Sequence, residues 1–204
     1  MGKTPEELYE ERTKRVEDVI QLKVPDRVPF VPFCQFFPAK YAGISNQEAM
    51  YDYDKLGMAA KKVICDFQPD MYLNPYYTIA LGPTLEILDY KQLKWPGHGL
   101  NSNLSYQYVE GEYMKAEEYD AFLSDPSGFM LGTFFPRIGG ALEPIGALPP
   151  LPWSYYIRIV HNIAILGIPE VAAAFGTLLE AGSEAYKMIS KAISFDQEME
   201  ELGF

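Results

Sequence analysis

Between Ser45 and Phe67 apolar side chains return every third or fourth residue, at Ala49, Tyr53, Leu56, Ala60, Val63, Ile64 and Phe67, the spacing of one buried helix face. Ser45 with Glu48 three places on has the form of a capping box, so the pattern predicts a capped helix that ends at Gln68-Pro69-Asp70. A longer stretch of the same kind opens at Pro169, where Val171, Phe175, Leu178, Gly182, Ala185, Ile189 and Ile193 share a face, and Gly203 suits the position just beyond its end. Thr4-Pro5-Glu6-Glu7 predicts another helix start, running to Leu22 with one narrow apolar face of Leu8, Val16, Val19 and Ile20. Trp153 to Leu166 predicts a fourth helix.

The run from Pro25 to Ser45 follows a different rule. Val28, Phe30, Val31 and Phe33 are β-branched or aromatic, and Pro25, Pro29, Pro32 and Pro38 exclude a helix, which predicts a short buried strand. It opens into an aromatic loop, Cys34 to Tyr41. After the Ser45 helix, Met71 to Leu73 predicts a second strand, followed by the loop Asn74-Pro75-Tyr76-Tyr77. Strand, helix, strand is the right-handed parallel crossover of α/β proteins, in which ligands gather at the carboxyl ends of the strands. From Thr84 to Glu112 the pattern breaks into short pieces, with Leu93 to Trp95 and Tyr106 to Val109 as a small inserted β excursion. Glu117 to Leu123 and a start at Asp125-Pro126 predict short helices, and Arg137 to Pro152 an irregular covering segment. Two parallel strands alone would leave open edges. The expected fold is therefore α/β, the N-terminal part of a larger barrel, with residues 1–204 forming one incomplete domain.

Composition narrows the function. A net charge of -11 with no cluster among the 17 Lys and Arg argues against nucleic acid. Two cysteines, Cys34 and Cys65, make no disulfide framework, and the charged N-terminus is unlike a secretory signal, so a cytoplasmic setting is expected. Arg158, His161, Asn162, Pro169 and Glu170 interrupt the most apolar region, leaving no run of ~20 apolar residues to cross a membrane.

The order of a helix, PDRVPFVPF, YAGIS before a capped helix, FQPDMYLNPY and EEYDAFLSDPSGFM resembles the uroporphyrinogen decarboxylase superfamily, and more closely its corrinoid-dependent methyltransferase and O-demethylase branch. The resemblance covers most of the chain and corresponds to about the first half of a typical member. It implies a TIM (β/α)8 barrel. True decarboxylases carry an arginine-rich signature after the first strand that holds the substrate's carboxylates. Here that stretch reads Phe33-Cys34-Gln35-Phe36-Phe37, and a thiol cannot imitate a guanidinium fork. The aspartate that decarboxylases place after the second strand is replaced near Tyr76-Tyr77. The branch that fits better moves a methyl group from an aryl methyl ether, methanol or a methylamine to a corrinoid on a separate protein. Many relatives use zinc held by a His-x-Cys pair and a later Cys. No His-x-Cys occurs here, so any zinc is expected on residues outside this chain.

The resemblance makes Cys34, Gln35, Phe36, Phe37, Tyr41, Tyr76 and Tyr77 the expected substrate-binding residues, with His98 in Trp95-Pro96-Gly97-His98-Gly99 as a further candidate. Each has a plainer alternative: Cys34 as a small buried residue, His98 as a loop residue, the tyrosines as packing. Arg137 is either an anion ligand or a structural arginine, and Asn74 either a ligand contact or a turn cap. Cys65 and His161 are expected to pack, and the acidic runs Glu6 to Glu17 and Glu198 to Glu201 to face solvent. No catalytic residue is marked. The expected partners are a corrinoid protein, a small methyl donor, and either a second copy or a complementing C-terminal half. A decarboxylase, or a non-catalytic half-barrel used in assembly, are the alternatives.

Overall fold

The computed structural model describes residues 2–149 and 155–204. Trp153, the expected start of a helix, and Pro150 to Pro152, the end of the expected irregular segment, lie outside the described residues. The architecture is mixed α/β and mostly helical, with a small three-stranded sheet. The chain divides into two compact units, one of Met1–Gly82, Pro96–Ser105 and Tyr186–Phe204, the other of Pro83–Trp95 and Tyr106–Ala185.

In the first unit α1 (Pro5–Ile20) starts on the expected box, Thr4 accepting from the Glu7 N–H while Glu7 reaches back to the Thr4 N–H. The segment expected as a loop from Cys34 to Tyr41 contains a short helix, α2 (Phe37–Ala42), opened by Pro38 in its first turn and closed by Gly43 in the left-handed region. The helix expected from Ser45 to Phe67 is two helices, α3 (Asn46–Tyr51) and α4 (Tyr53–Phe67). They part at Asp52, whose extended backbone breaks the first helix and whose carboxylate accepts from the Lys55 N–H to cap the second. Ala49, Tyr53, Leu56, Ala60, Val63 and Ile64 are buried as the periodicity demands, whereas Phe67, expected on the same face, is 45% exposed at the helix end. Side chains the size of Leu56 and Ile64 each contribute about 1.5–3 kcal/mol when fully buried.

α5 (Gly82–Ile87) opens on the residue that ends the first unit's opening segment, and of the strands that follow, Pro96 and Gly99–Leu100 belong to the first unit and the rest to the second. β1 (Leu93–Pro96), β2 (Gly99–Leu100) and β3 (Gln107–Tyr108) form a sheet in the order β2-β1-β3, with Leu93 opposite Tyr108 and Lys94 opposite Gln107 in antiparallel register. This is the inserted β excursion. α6 (Tyr119–Ser124) and α7 (Pro126–Phe129) follow, the latter capped by the Asp125 carboxylate on the Gly128 N–H. A π-helical turn leads into α8 (Phe135–Ile138), and residues 140–147 are a 3-10 helix rather than irregular. Leu142, Ile145 and Ala174 form this unit's core with Leu88, Phe135, Phe175 and Leu178 around it. Arg137 makes a two-pronged bond to Glu118 (2.8 and 2.5 Å) and donates to the Tyr113 carbonyl, which is a structural role.

α9 (Arg158–Ile163) is short, and α10 (Pro169–Glu200) runs through both units. Its expected face is corrected. Val171, Ala174, Ala181, Ala192, Phe195 and Met199 are buried, whereas Ile189 and Ile193 are exposed. Steps of three and four through 171, 174, 178, 181, 185, 188, 192, 195 and 199 keep to a 3.5-residue period, from which a straight 3.6-residue stripe drifts. Among the described residues no single helix is long and apolar enough to cross a membrane.

The two expected strands of the first unit are also corrected. Val28 to Phe33 and Met71 to Leu73 form no strand, with a bend at Met71, and Val28 (84%) and Phe33 (60%) are largely exposed. Pro29 and Pro32 have no N–H, and the Phe30 N–H is taken by the Asp70 carboxylate (2.7 Å). One backbone bond, Asp70 N–H to Phe30 C=O at 2.8 Å, ties the segments together.

That tie belongs to a charge network. The Asp70 side chain is fully buried; it accepts from Arg15, from both Arg27 terminal nitrogens (2.6 Å each) and from Phe30 N–H. Arg15, also buried, further grips Asp26 through two 2.7 Å bonds and Glu11 at 2.8 Å. The inward face of α1 is thus two arginines, Arg12 and Arg15, rather than an apolar stripe. Burial pushes the Asp70 carboxyl up, but the Phe30 N–H, Arg27 and Arg15 outweigh it and hold the group below its ordinary value. Hydrogen bonds from Arg15 first hold Asp26 lower, at about 2.

Two substitutions test this packing. Asp70→Asn removes the charge that Arg15 and the half-exposed Arg27 share, while Arg15 keeps Asp26 and Glu11, and should cost about 1–3 kcal/mol in denaturant unfolding. Because the folded carboxyl titrates below its unfolded value of about 3.9, the gap between wild type and D70N should be full above about pH 4 and shrink as acid protonates the folded group. A gap that widens in acid would contradict the assignment. Gly57→Ala brings a second test. Its Cβ would stand 2.6 Å from the Tyr76 hydroxyl, which donates to the Tyr53 carbonyl at 2.7 Å. Alanine favours helix by about 1 kcal/mol, but displacing a buried ring and its hydrogen bond costs more, so a net loss of about 1–3 kcal/mol is expected.

Candidate functional site

The carboxyl ends of the two extended segments meet at one cleft in the first unit. Pro32 to Gln35 and Pro38 form one wall, and Leu73 and Pro75 stand on the other with Tyr72. The floor is α4, where the buried Val63 and Ile64 and the half-exposed Phe67 follow at helical spacing. The space measures about 510 Å³ including its open mouth. None of its lining residues is Asp, Glu, Lys, Arg or His.

Local backbone chemistry sets the mouth. Cys34 ends the extended run, its carbonyl accepting from the Phe37 N–H at 2.8 Å as the chain turns into α2. Gln35, inside that turn, has φ +40°, in the left-handed region that a side chain other than glycine enters at a cost. On the far wall Asn74 caps the turn before Pro75: its Oδ1 accepts from Tyr76 N–H and its Nδ2 donates to the Ala192 carbonyl, both at 3.0 Å.

Burial raises the Cys34 thiol, so it is a neutral, polarisable contact rather than a thiolate nucleophile near neutral pH. Burial first, then its 2.7 Å hydrogen bond to Asp196, raises the Tyr72 phenol and keeps it protonated. Such a site can hold and orient an apolar molecule; it offers no charge to stabilise a developing ion.

Of the residues expected from the sequence, Cys34 and Gln35 line this cleft. Phe36 is buried. Phe37 and Tyr41 lie in an aromatic cluster with Phe67, with centroids 5.3 to 5.7 Å apart and Lys62 above Tyr41, and only Phe67 also reaches the cleft. Tyr76 points the other way. Its ring packs on Tyr53 and Phe195, and burial, followed by the charges of Asp54, Glu198 and Asp52, pushes its hydroxyl up to about 12. Tyr77 is half exposed and His98 sits in the turn between β1 and β2; neither lines the cleft. Tyr72, Ile64 and Phe67 are lining residues that were expected only as strand or helix positions. The signal was available in part: Phe67 closes the predicted apolar face yet precedes Gln68-Pro69 at the helix end, where a face stops being covered. Among the described residues no group of three or more His, Cys, Asp or Glu side chains is placed to hold a metal ion.

Comparison with family models, curated proteins and solved structures returns no match for this chain.

The strained turn gives a prediction. Left-handed φ costs a residue with a side chain roughly 1–2 kcal/mol, against roughly 0.5–1 kcal/mol of extra chain entropy that glycine loses on folding. Gln35→Gly should therefore leave thermal stability unchanged or raise it by up to about 1 kcal/mol. A clear loss would mean that the Gln35 side chain holds the turn.

Proposed function

We propose that the chain is the N-terminal part of a uroporphyrinogen decarboxylase-like barrel and that it binds the methyl donor for transfer to a corrinoid carried by a partner protein. The observation that carries the reading is the meeting of Phe33 to Gln35 and Leu73 to Pro75, the ends of the two extended segments, on one uncharged cleft. Further support comes from the motifs behind the resemblance: Asp26 and Arg27 of PDRVP and Asp70 of FQPD are in one network with Arg15. The apolar, exposed sides of Val28 to Phe33 and Met71 to Leu73 fit staves whose neighbours come from another stretch of polypeptide.

In this reading the corrinoid supplies the cobalt that accepts the methyl group. The cleft holds the donor, orients its methyl group toward the mouth and keeps water from its apolar face. Zinc, where it assists, is held by residues outside this chain. A decarboxylase would require cationic groups for several carboxylates. No arginine lines the cleft, and Arg15 and Arg27 are committed to Asp70.

The test is chromatographic. The chain, together with any polypeptide that co-purifies with it from its own cells, is incubated with a reduced corrinoid protein and, separately, 2-methoxyphenol, methanol or methylammonium. The expected result is demethylated product from one donor, reduced about tenfold or more by Ile64→Trp, which fills the cleft. Loss of carboxyl groups from uroporphyrinogen, with no demethylation of any donor, would give the decarboxylase alternative the stronger claim.

A further inference from the structure

Beside its buried stripe, α10 carries a second one. Half-buried Phe175 is followed by Leu179, Gly182, Tyr186, Ile189 and Ile193 in alternating steps of four and three, along one continuous helix. Leu179 (73%), Tyr186 (74%), Ile193 (50%) and Ile189 (39%) are exposed, and a Cβ added at Gly182 would meet nothing within 4 Å. Apolar residues sustained at that spacing form the seam by which one helix packs on another.

The polar groups on this face are suited to losing water. Ser183 Oγ donates to the Leu179 carbonyl at 3.0 Å and Ser190 Oγ to the Tyr186 carbonyl at 2.9 Å, so covering the stripe strands neither hydroxyl proton. The charged residues of the same turns, Glu180, Glu184, Lys187 and Lys191, fall off the seam; Lys191 pairs with Asp54 at 2.7 Å and Lys187 lies over the Tyr53 ring. A chain of charge -11 thus has an uncharged strip that a second copy can approach.

The order of side chains on the strip is complementary to itself in one orientation. In an antiparallel pair with its two-fold axis level with Glu184, Gly182 of each copy faces the partner's Tyr186, Leu179 faces the partner's Ile189, and Phe175 faces the partner's Ile193. The open space at Gly182 receives the largest ring, and the next layer outward is aliphatic on both sides. On the rim, Glu180 comes within one residue of level with the partner's Lys187, and Lys187 with the partner's Glu180, so opposite charges meet. A parallel pair would set Gly182 on Gly182 and Tyr186 on Tyr186, a void beside an overfilled layer, with Glu180 level with its own copy.

We propose that the exposed stripe of α10 is the contact face of a homodimer, in which the helices of two copies of this chain pack antiparallel about Glu184. The seam from Phe175 to Ile193 is about 27 Å long, shorter than a standard interface requires, so association in the micromolar range is expected. No α10 residue lines the cleft, and the dimer stands or falls apart from the methyl-transfer reading.

Sedimentation equilibrium of the full chain over about 1–100 µM should show reversible dimerisation. Tyr186→Glu, at an exposed position, should raise the dissociation constant at least about tenfold and leave the circular dichroism spectrum unchanged. Glu180→Lys and Lys187→Glu should each weaken the dimer several-fold, and the two together should restore it to within about twofold, which a parallel pair would not do. A monomer at every concentration, a dimer that Y186E leaves intact, or a double exchange that fails to restore association would overturn the proposal. Flotation of a monomeric chain with phosphatidylcholine vesicles would also overturn it and give the stripe to lipid.

Discussion

Taking the Asp70 carboxylate out of water is unfavourable unless its charge is met, and everything around the cleft is arranged by the groups that meet it. Arg15 comes from α1, Arg27 and the Phe30 N–H from the extended run, and Asp70 itself from the turn after α4. A helix with few apolar residues is held through guanidinium groups instead of a hydrophobic stripe. Such a pair is weak as a source of net stability but strongly directional, since Asp70 left without its arginines is a buried unpaired charge. Its clearest structural effect is register. With Asp70 N–H on the Phe30 carbonyl and Asp70 Oδ2 on the Phe30 N–H, the two extended segments cannot slide, so their ends arrive at the same cleft.

The cleft and the network divide the work of the first unit. Charges are gathered and neutralised at the start of the extended segments, around Asp26, Arg27 and Asp70, and are missing from the lining at their ends. This separation leaves an uncharged cleft in an acidic protein. Local strain falls at the cleft: Gln35 adopts its left-handed backbone where the chain turns into α2.

α10 illustrates a different constraint. Its buried residues alternate in steps of three and four, and Ala174, Ala181 and Ala192 are among them. Larger residues on that helix, Ile189 and Ile193 among them, lie to the side of the stripe. Hydropathy alone favours the larger residues as the inward face, and the 3.5-residue period of the buried positions leaves them beside it.

What the sequence by itself determined is whatever depends on residues within a turn of each other. The boxes at Thr4 and Ser45, the Asp125 cap, the Asn74 turn and the buried face of α4 all follow from contacts three or four positions apart, and all are present. The break at Asp52 and the helix at Phe37 were subtler local events, set by one extended residue and by a proline in a first turn. Only the tertiary structure could decide whether Val28 to Phe33 and Met71 to Leu73 are strands, because a strand exists through its neighbour. Only it could show that Arg15 and Arg27 find Asp70 across 55 and 43 residues. It also turned Tyr76 inward to Tyr53 and left Cys34 and Gln35 at the cleft. Charge pairing and ring packing act through space, and nothing in the spacing of a linear chain records which distant groups will meet.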